Sequence, residues 1–171
     1  MTKNISKSIP CAYILTCRTY GSWVHGDPRS SVDRNHNEFA TSRIKPNLGL
    51  QKAMQNSCTE DIFLLNAMQR KTVLQSIIDT CRFANWHLHA AHVRSNHMHI
   101  VLQTQKEPEQ AMVSIKAYAT RYLKKQNPEL TRKKFWSLGE STGYIFRPEF
   151  ISAAVRYTLE DQGEPMAFYS E

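Results

Sequence analysis

Residues 86–104 read WHLHAAHVRSNHMHIVLQT, and how that run divides decides the fold. Aliphatic, aromatic and β-branched residues fill Trp86 to Val93 and His97 to Thr104, while Arg94, Ser95 and Asn96 between them have the composition of a tight turn. The stretch therefore predicts two strands joined as a hairpin. Side chains alternate along a strand, so His97, His99 and Val101 share one face and Met98, Ile100 and Leu102 the other. The aliphatic trio calls for helices packed over it. The two imidazoles are left as neighbours, spaced to grip one divalent ion through neutral nitrogens. His87 and His89 alternate as well and His92 is close by, so a histidine-rich hairpin that is merely part-exposed is the plainer alternative.

Working outward, Cys11 to Thr19 (CAYILTCRT) reads as a central strand. Thr59 to Asn85 has a helical pattern, with Ile62, Leu65, Met68, Val73, Ile77 and Cys81 on one side and Thr59 as its cap. Glu107 to Gln126 is a second helix, opened by Pro108, with Met112, Ile115, Ala119 and Leu123 as its apolar face. Tyr144 to Phe146 gives a further strand, and Pro148 to Gln162 a last helix. The order strand, helix, strand, strand, helix, strand, helix predicts an α+β fold: a ferredoxin-like, RRM-like antiparallel sheet with helices packed on one face. No repeat or linker divides residues 1–171, which reads as a single domain.

Residues from about 18 to 58 form a predicted long loop dense in Gly, Pro, Asn, Asp and Ser. Arg18, Arg29, Arg34, Arg43 and Lys45 alternate there with Tyr20, Trp23 and Phe39, the mixture of charge and aromatic faces that holds single-stranded nucleic acid. A solvated loop pinned by a few aromatics fits the same residues. The second helix adds Lys116, Arg121, Lys124 and Lys125. The whole chain carries a net charge of +7 with a pI near 9.3, which favours a polyanionic partner through phosphate neutralisation. No segment approaches the ~18 apolar residues of a membrane span, and MTKNISKSIP lacks a signal-peptide core. Cys11, Cys17, Cys58 and Cys81 show no CxxC spacing and read as buried thiols. A cytoplasmic location is expected.

Two imidazoles do not complete a metal centre, which needs another protein ligand and open positions. AVRYTLEDQ offers candidates: Tyr157 and Asp161 stand four residues apart, on one face of a helix, with Glu160 as a rival ligand. An amphipathic helix whose tyrosine fills the core would look the same.

NHMHIVL resembles the histidine–hydrophobic–histidine (HUH) motif of single-tyrosine HUH transposases. AYILTCRTYGSWVHGDPRSSVDR resembles the opening of their REP-associated branch, and ISAAVRYTLEDQG the helix that bears the family's tyrosine. The resemblance spans about Cys11 to Gly163, and three matches in order are far more specific than HUH alone. It implies the HUH endonuclease fold, with His97 and His99 as ligands of Mg²⁺ or Mn²⁺ and Tyr157 as nucleophile. The family's third ligand, often Gln, falls at Asp161, with Gln162 adjacent. The implied activity is cleavage and rejoining of single-stranded, hairpin-bearing DNA through a 5′-phosphotyrosine. Arg18, Arg29, Arg34, Lys116, Arg121 and Lys124 are the expected DNA contacts. Lys116 and Arg121 are also candidates for helping the phenol to ionise. Family members are often homodimers, some exchanging the tyrosine helix. A non-catalytic module binding hairpin DNA or RNA on the same fold is the alternative. A histidine-triad phosphoesterase is disfavoured, because Val101 stands where a third histidine belongs.

Overall fold

The computed structural model describes residues 9–23 and 47–171; Arg29, Arg34, Phe39, Arg43 and Lys45 lie outside the described residues. Five antiparallel strands form one sheet in the order β4-β1-β3-β2-β5. They are β1 (Ala12–Arg18), β2 (His87–Val93), β3 (His97–Gln103), β4 (Ser141–Ile145) and β5 (Ala167–Ser170). The inner order β4-β1-β3-β2 is the predicted ferredoxin-like arrangement. The short edge strand β5 is an addition the sequence did not suggest.

The alternation predicted for the hairpin holds on both sides of the sheet. Leu15 and Cys17 of β1 and Met98, Ile100 and Leu102 of β3 are buried against Val73, Ile77, Cys81, Met112, Ile115 and Leu123. Those helical residues belong to α2 (Ala67–Phe83) and α3 (Pro108–Gln126). Burial pushes the thiols of Cys17 and Cys81 up to about 12, so both stay protonated as small apolar groups. The opposite face carries a smaller cluster: Ala12, Ala90, Val101 and Ile145 lie under Ile151, Ala154, Val155 and Leu159. Those last four residues belong to α4 (Ile151–Leu159), which follows a 3-10 turn at Pro148–Phe150. Helices thus cover both faces, not one as expected. The small side chains of Ala90 and Val101 let a short helix close over a sheet face that otherwise holds histidines. Gly143 serves a similar end in β4, where a Cβ would sit 2.5 Å from Ile14 Cγ2.

Four boundaries differ from the sequence reading. β4 starts at Ser141, not Tyr144, because Ser141 to Gly143 pair with Thr16 to Ile14 of β1. The long loop ends early, because α1 (Leu48–Asn56) forms within it, its first turn capped by the Asn47 side chain accepting from Leu50 N–H. The next helix begins at Ala67, not Thr59. Asn66 and Gln69 form a reciprocal capping box there. The preceding residues run extended: Phe63 N–H donates to Tyr20 C=O at 2.9 Å and Leu65 N–H to Ser95 C=O at 2.7 Å. Phe63 and Leu65 are buried while Ile62 and Leu64 are exposed, a period of two that imitated the start of a helix. The last helix is shorter than expected, ending at Leu159. No helix among the described residues is long and apolar enough to cross a membrane.

The cap assignment is testable. Asn66→Ala is expected to cost about 1 kcal/mol, read as a lower denaturant midpoint, while Thr59→Ala leaves the midpoint within a few tenths of a kcal/mol. The reverse ranking would put the helix start back at Thr59.

Candidate active site

β3 opens with the histidine pair, and its neighbours fix each ring. His97 pairs in register with Arg18, and His99 lies between Thr16 on β1 and His92 on β2. Asn96 Oδ1 accepts from His97 Nδ1 at 2.7 Å. Thr16 Oγ1 lies 2.7 Å from His99 Nδ1. With both Nδ1 atoms occupied, the two Nε2 atoms remain as donors of lone pairs. The ring centroids are 4.8 Å apart.

Burial sets their charge. Desolvation, with smaller contributions from neighbouring His99, Arg94 and Arg18, pulls the pKa of His97 down to about 3. His99 falls to about 4, again mainly through burial, with His92, Arg18 and Arg94 adding to the effect. A hydrogen-bonding interaction with the Gln162 side chain opposes the fall in both rings. At neutral pH both imidazoles are uncharged, the form in which they ligate metals.

Tyr157, on α4, packs its ring edge-on against His99, with centroids 5.7 Å apart and planes at 75°. It is 45 % exposed, so substrate can reach the phenol. The helix is held there by His92, which is fully buried. Met166 N–H donates to His92 Nε2 at 3.1 Å. That assigns the proton to Nδ1, which donates to Thr158 C=O at 3.0 Å. His92, read from sequence only as clutter near the pair, is the pin of the tyrosine helix.

Where α4 stops decides which polar side chain comes next to the histidines. Because the helix ends at Leu159, Asp161 is not one turn along from Tyr157; it is exposed in the turn that follows, as is Glu160. The chain bends instead so that Gln162 reaches both imidazoles, with its Nε2 donating to Tyr157 C=O at 3.1 Å. Gly163 continues the bend at φ +79°, a left-handed conformation that favours glycine. Arg94 ties the bend to the hairpin through Nη1 to Glu164 C=O at 2.9 Å.

The basic residues divide. Arg18 is beside the histidines and stacks 3.6 Å over the Trp23 ring. Arg94, not singled out from sequence, is the second cation there. Lys116, Arg121 and Lys124 lie on α3, across the sheet from Tyr157. Lys116 is bonded to Glu140 at 2.9 Å, while Arg121 and Lys124 sit over the rings of Tyr118 and Phe135. The sheet keeps Lys116 and Arg121 from acting on the phenol. A different aromatic surface appears at the β4 edge, where exposed Tyr144, Phe146 and Phe150 line a groove with Arg147.

The sheet thus brings a histidine pair and a facing tyrosine together on one face, and the sequence comparison supplies the family. Residues 58–146, just over half of the chain, match the family model described as "Transposase IS200 like". The chain belongs to the IS200-like transposase family. The matched residues include His97 and His99 and stop short of Tyr157. No curated protein matches the chain in sequence. Among solved structures, it is similar to a REP-associated tyrosine transposase bound to a REP hairpin, at 12% identity and a TM-score of 0.49, covering 94% of this chain and 72% of that one. It is also similar to a candidate transposase from Deinococcus radiodurans R1, at 14% identity and a TM-score of 0.47, covering 95% and 98%.

The depressed values of His97 and His99 carry a pH signature. Both titrate below the ordinary 6.5 when folded, so between those values the unfolded chain binds more protons. Stability is then complete above about 6.5 and is lost as pH falls through the folded values. With a chelator present, the denaturant midpoint should drop steadily from about pH 7 to about pH 4.5. A His97→Gln/His99→Gln variant should show a shallower drop; an equal slope would place the acid sensitivity elsewhere.

Proposed function

We propose that this chain is a single-tyrosine strand transferase that cuts and rejoins single-stranded, hairpin-bearing DNA. The observation that supports this reading is the packing of the Tyr157 ring against His99 within one chain, beside two neutral imidazoles whose Nδ1 atoms are engaged by Asn96 and Thr16. Membership of a transposase family supplies the substrate class.

A divalent ion fits the donor set. Two imidazole nitrogens and an amide oxygen make a neutral three-ligand group that leaves positions open. We assign His97, His99 and Gln162 as the residues that hold it, in preference to Asp161, because Gln162 is the one that interacts with both rings. Mg²⁺ or Mn²⁺ there would polarise a non-bridging phosphate oxygen and offset negative charge at the phosphorus.

The protein's part is positional. Asn96 and Thr16 hold the rings with Nε2 directed to ligand, and His92 holds the helix that presents the phenol. Arg18 and Arg94 supply fixed positive charge for the scissile phosphate. Tyr157 Oη forms a bond to phosphorus and loses its proton; the bond from phosphorus to the 3′ oxygen breaks, and that oxygen takes up a proton. The product is a 5′-phosphotyrosine and a free 3′ hydroxyl. The phosphodiester energy is conserved, so attack by another 3′ hydroxyl reverses the step and joins a new strand. Unpaired bases stack on Tyr144, Phe146 and Phe150, with Arg147 at their phosphates.

Incubation with labelled hairpin DNA and Mn²⁺, followed by a denaturing gel, should give a covalent protein–DNA band. Tyr157→Phe should abolish it, and His97→Ala or His99→Ala should lower its rate by about a hundredfold or more. Gln162→Ala should raise the Mn²⁺ needed by roughly tenfold or more, and Asp161→Asn should change it little. Wild-type adduct from Tyr157→Phe would refute the nucleophile. Salt-sensitive binding with no adduct, indifferent to metal and to His97→Ala, would favour the binding-module alternative.

A further inference from the structure

A second set of ligating side chains stands at the other end of the sheet. His87 opens β2 and pairs in register with Gln103, at the far end of β3 from His97, which is ~20 Å along the strand. His87 Nε2 lies 2.8 Å and His89 Nδ1 3.5 Å from the same oxygen, Glu171 Oε2. The two imidazole rings are 4.3 Å apart, and the three ligand atoms all lie within 4.8 Å of one another. Among the described residues this is the one such group of three His, Cys, Asp or Glu side chains.

Its geometry is built by the backbone. The β2–β3 register shifts between Leu88 and Ala90, so His89 is the extra residue of a bulge, a device that re-aims a side chain. On the other side of β2, Glu171 N–H donates to His89 C=O at 3.1 Å, extending the β5 ladder and setting the carboxylate beside the bulge. His89 Nε2 is buried with no well-formed hydrogen bond; Gln103, exposed at the strand end, is the polar side chain that interacts with this ring.

We propose that His87, His89 and Glu171 form a second metal site, distinct from the His97–His99 pair, that takes a zinc-class divalent ion. Two imidazoles and one carboxylate are a common zinc set, with a fourth position left for water. Ligand atoms in a tetrahedral zinc site lie about 3.3 Å apart, a value bracketed by the 2.8 and 3.5 Å contacts to Glu171. His87 and Glu171 are both about half exposed, so small rotamer changes close the remaining distance, and the ion enters directly from solvent. An ion there joins β2 to the end of β5. Since the chain from α4 runs into β5, it also tethers the segment that follows Tyr157. The proposal does not depend on the strand-transfer reading.

Equilibrium dialysis of the full chain against Zn²⁺, with melting measured in parallel, tests it. His97→Ala/His99→Ala should keep one zinc equivalent and its zinc-induced rise in melting temperature. His87→Ala and Glu171→Gln, both at exposed positions, should each bind one equivalent fewer than wild type. Zinc affinity at this site should fall by more than the roughly 10–100-fold that loss of an outer-shell partner costs. Cleavage activity with Mn²⁺ should survive both substitutions. Wild-type zinc stoichiometry in His87→Ala and Glu171→Gln would overturn the proposal: the three side chains would then be an ion pair closing the strand ends.

Discussion

The buried ring of His92 is the constraint on which the candidate active site depends. It bonds α4 through Thr158 and the approach to β5 through Met166, using both nitrogens and so fixing its own tautomer. A neutral imidazole is one of few side chains that can donate from one edge and accept at another while filling apolar space. Alanine there would leave a backbone carbonyl and a backbone N–H unpaired, each at a cost of about 1–3 kcal/mol. The apolar contact beneath α4 is small, with Ala90, Val101 and Ile145 as its main partners. The polar pins therefore decide where the nine-residue helix lies, and with it the position of Tyr157.

The same sheet face uses histidine in two ways, and neighbours rather than identity separate them. His92 spends both nitrogens on backbone groups. His97 and His99 spend one nitrogen each on Asn96 and Thr16 and interact with the Gln162 side chain as well. Burial makes all three easier to deprotonate. The opposing interaction of Gln162 with His97 and His99 is too weak to restore the charge of that pair at neutral pH. On the proposed reading a cation and a phosphate are served together by uncharged nitrogen donors, with the positive charge on Arg18 and Arg94 standing outside them.

The hairpin was legible because it obeys one local rule. Alternation at His97, His99 and Val101 against Met98, Ile100 and Leu102 is the division between the two faces that the sheet adopts. The pairing of Tyr157 with the histidines was legible through resemblance, since helical periodicity alone reads that tyrosine as core. Other features depend on tertiary bonds that no local pattern encodes. Phe63 and Leu65 look helical until Tyr20 and Ser95 offer them backbone partners. Asp161 lies a helical turn from Tyr157 only if the helix continues, and it ends at Leu159. The helix start at Asn66 was missed because Ile62 and Leu65, ahead of it, fitted a helical period that led back to Thr59. AFYS is too short to announce an edge strand, and it forms because the β2 edge is open to it.

The topology also bears on whose tyrosine serves whose histidines. α4 is bracketed by β4 and β5, which occupy opposite edges of a single sheet, so the connection after β4 must cross the sheet face to reach β2. The helix lies on that crossing, over Val101 and Ala90, beside the histidines. Handing α4 to a second copy would require β5 to leave β2, or the few residues between Leu159 and Ala167 to span two molecules. Either route gives up, within one chain, the His92 bonds to Thr158 and Met166 and the contact between Gln162 and the imidazoles. A helix tethered at both ends to its own sheet favours a site assembled from one chain.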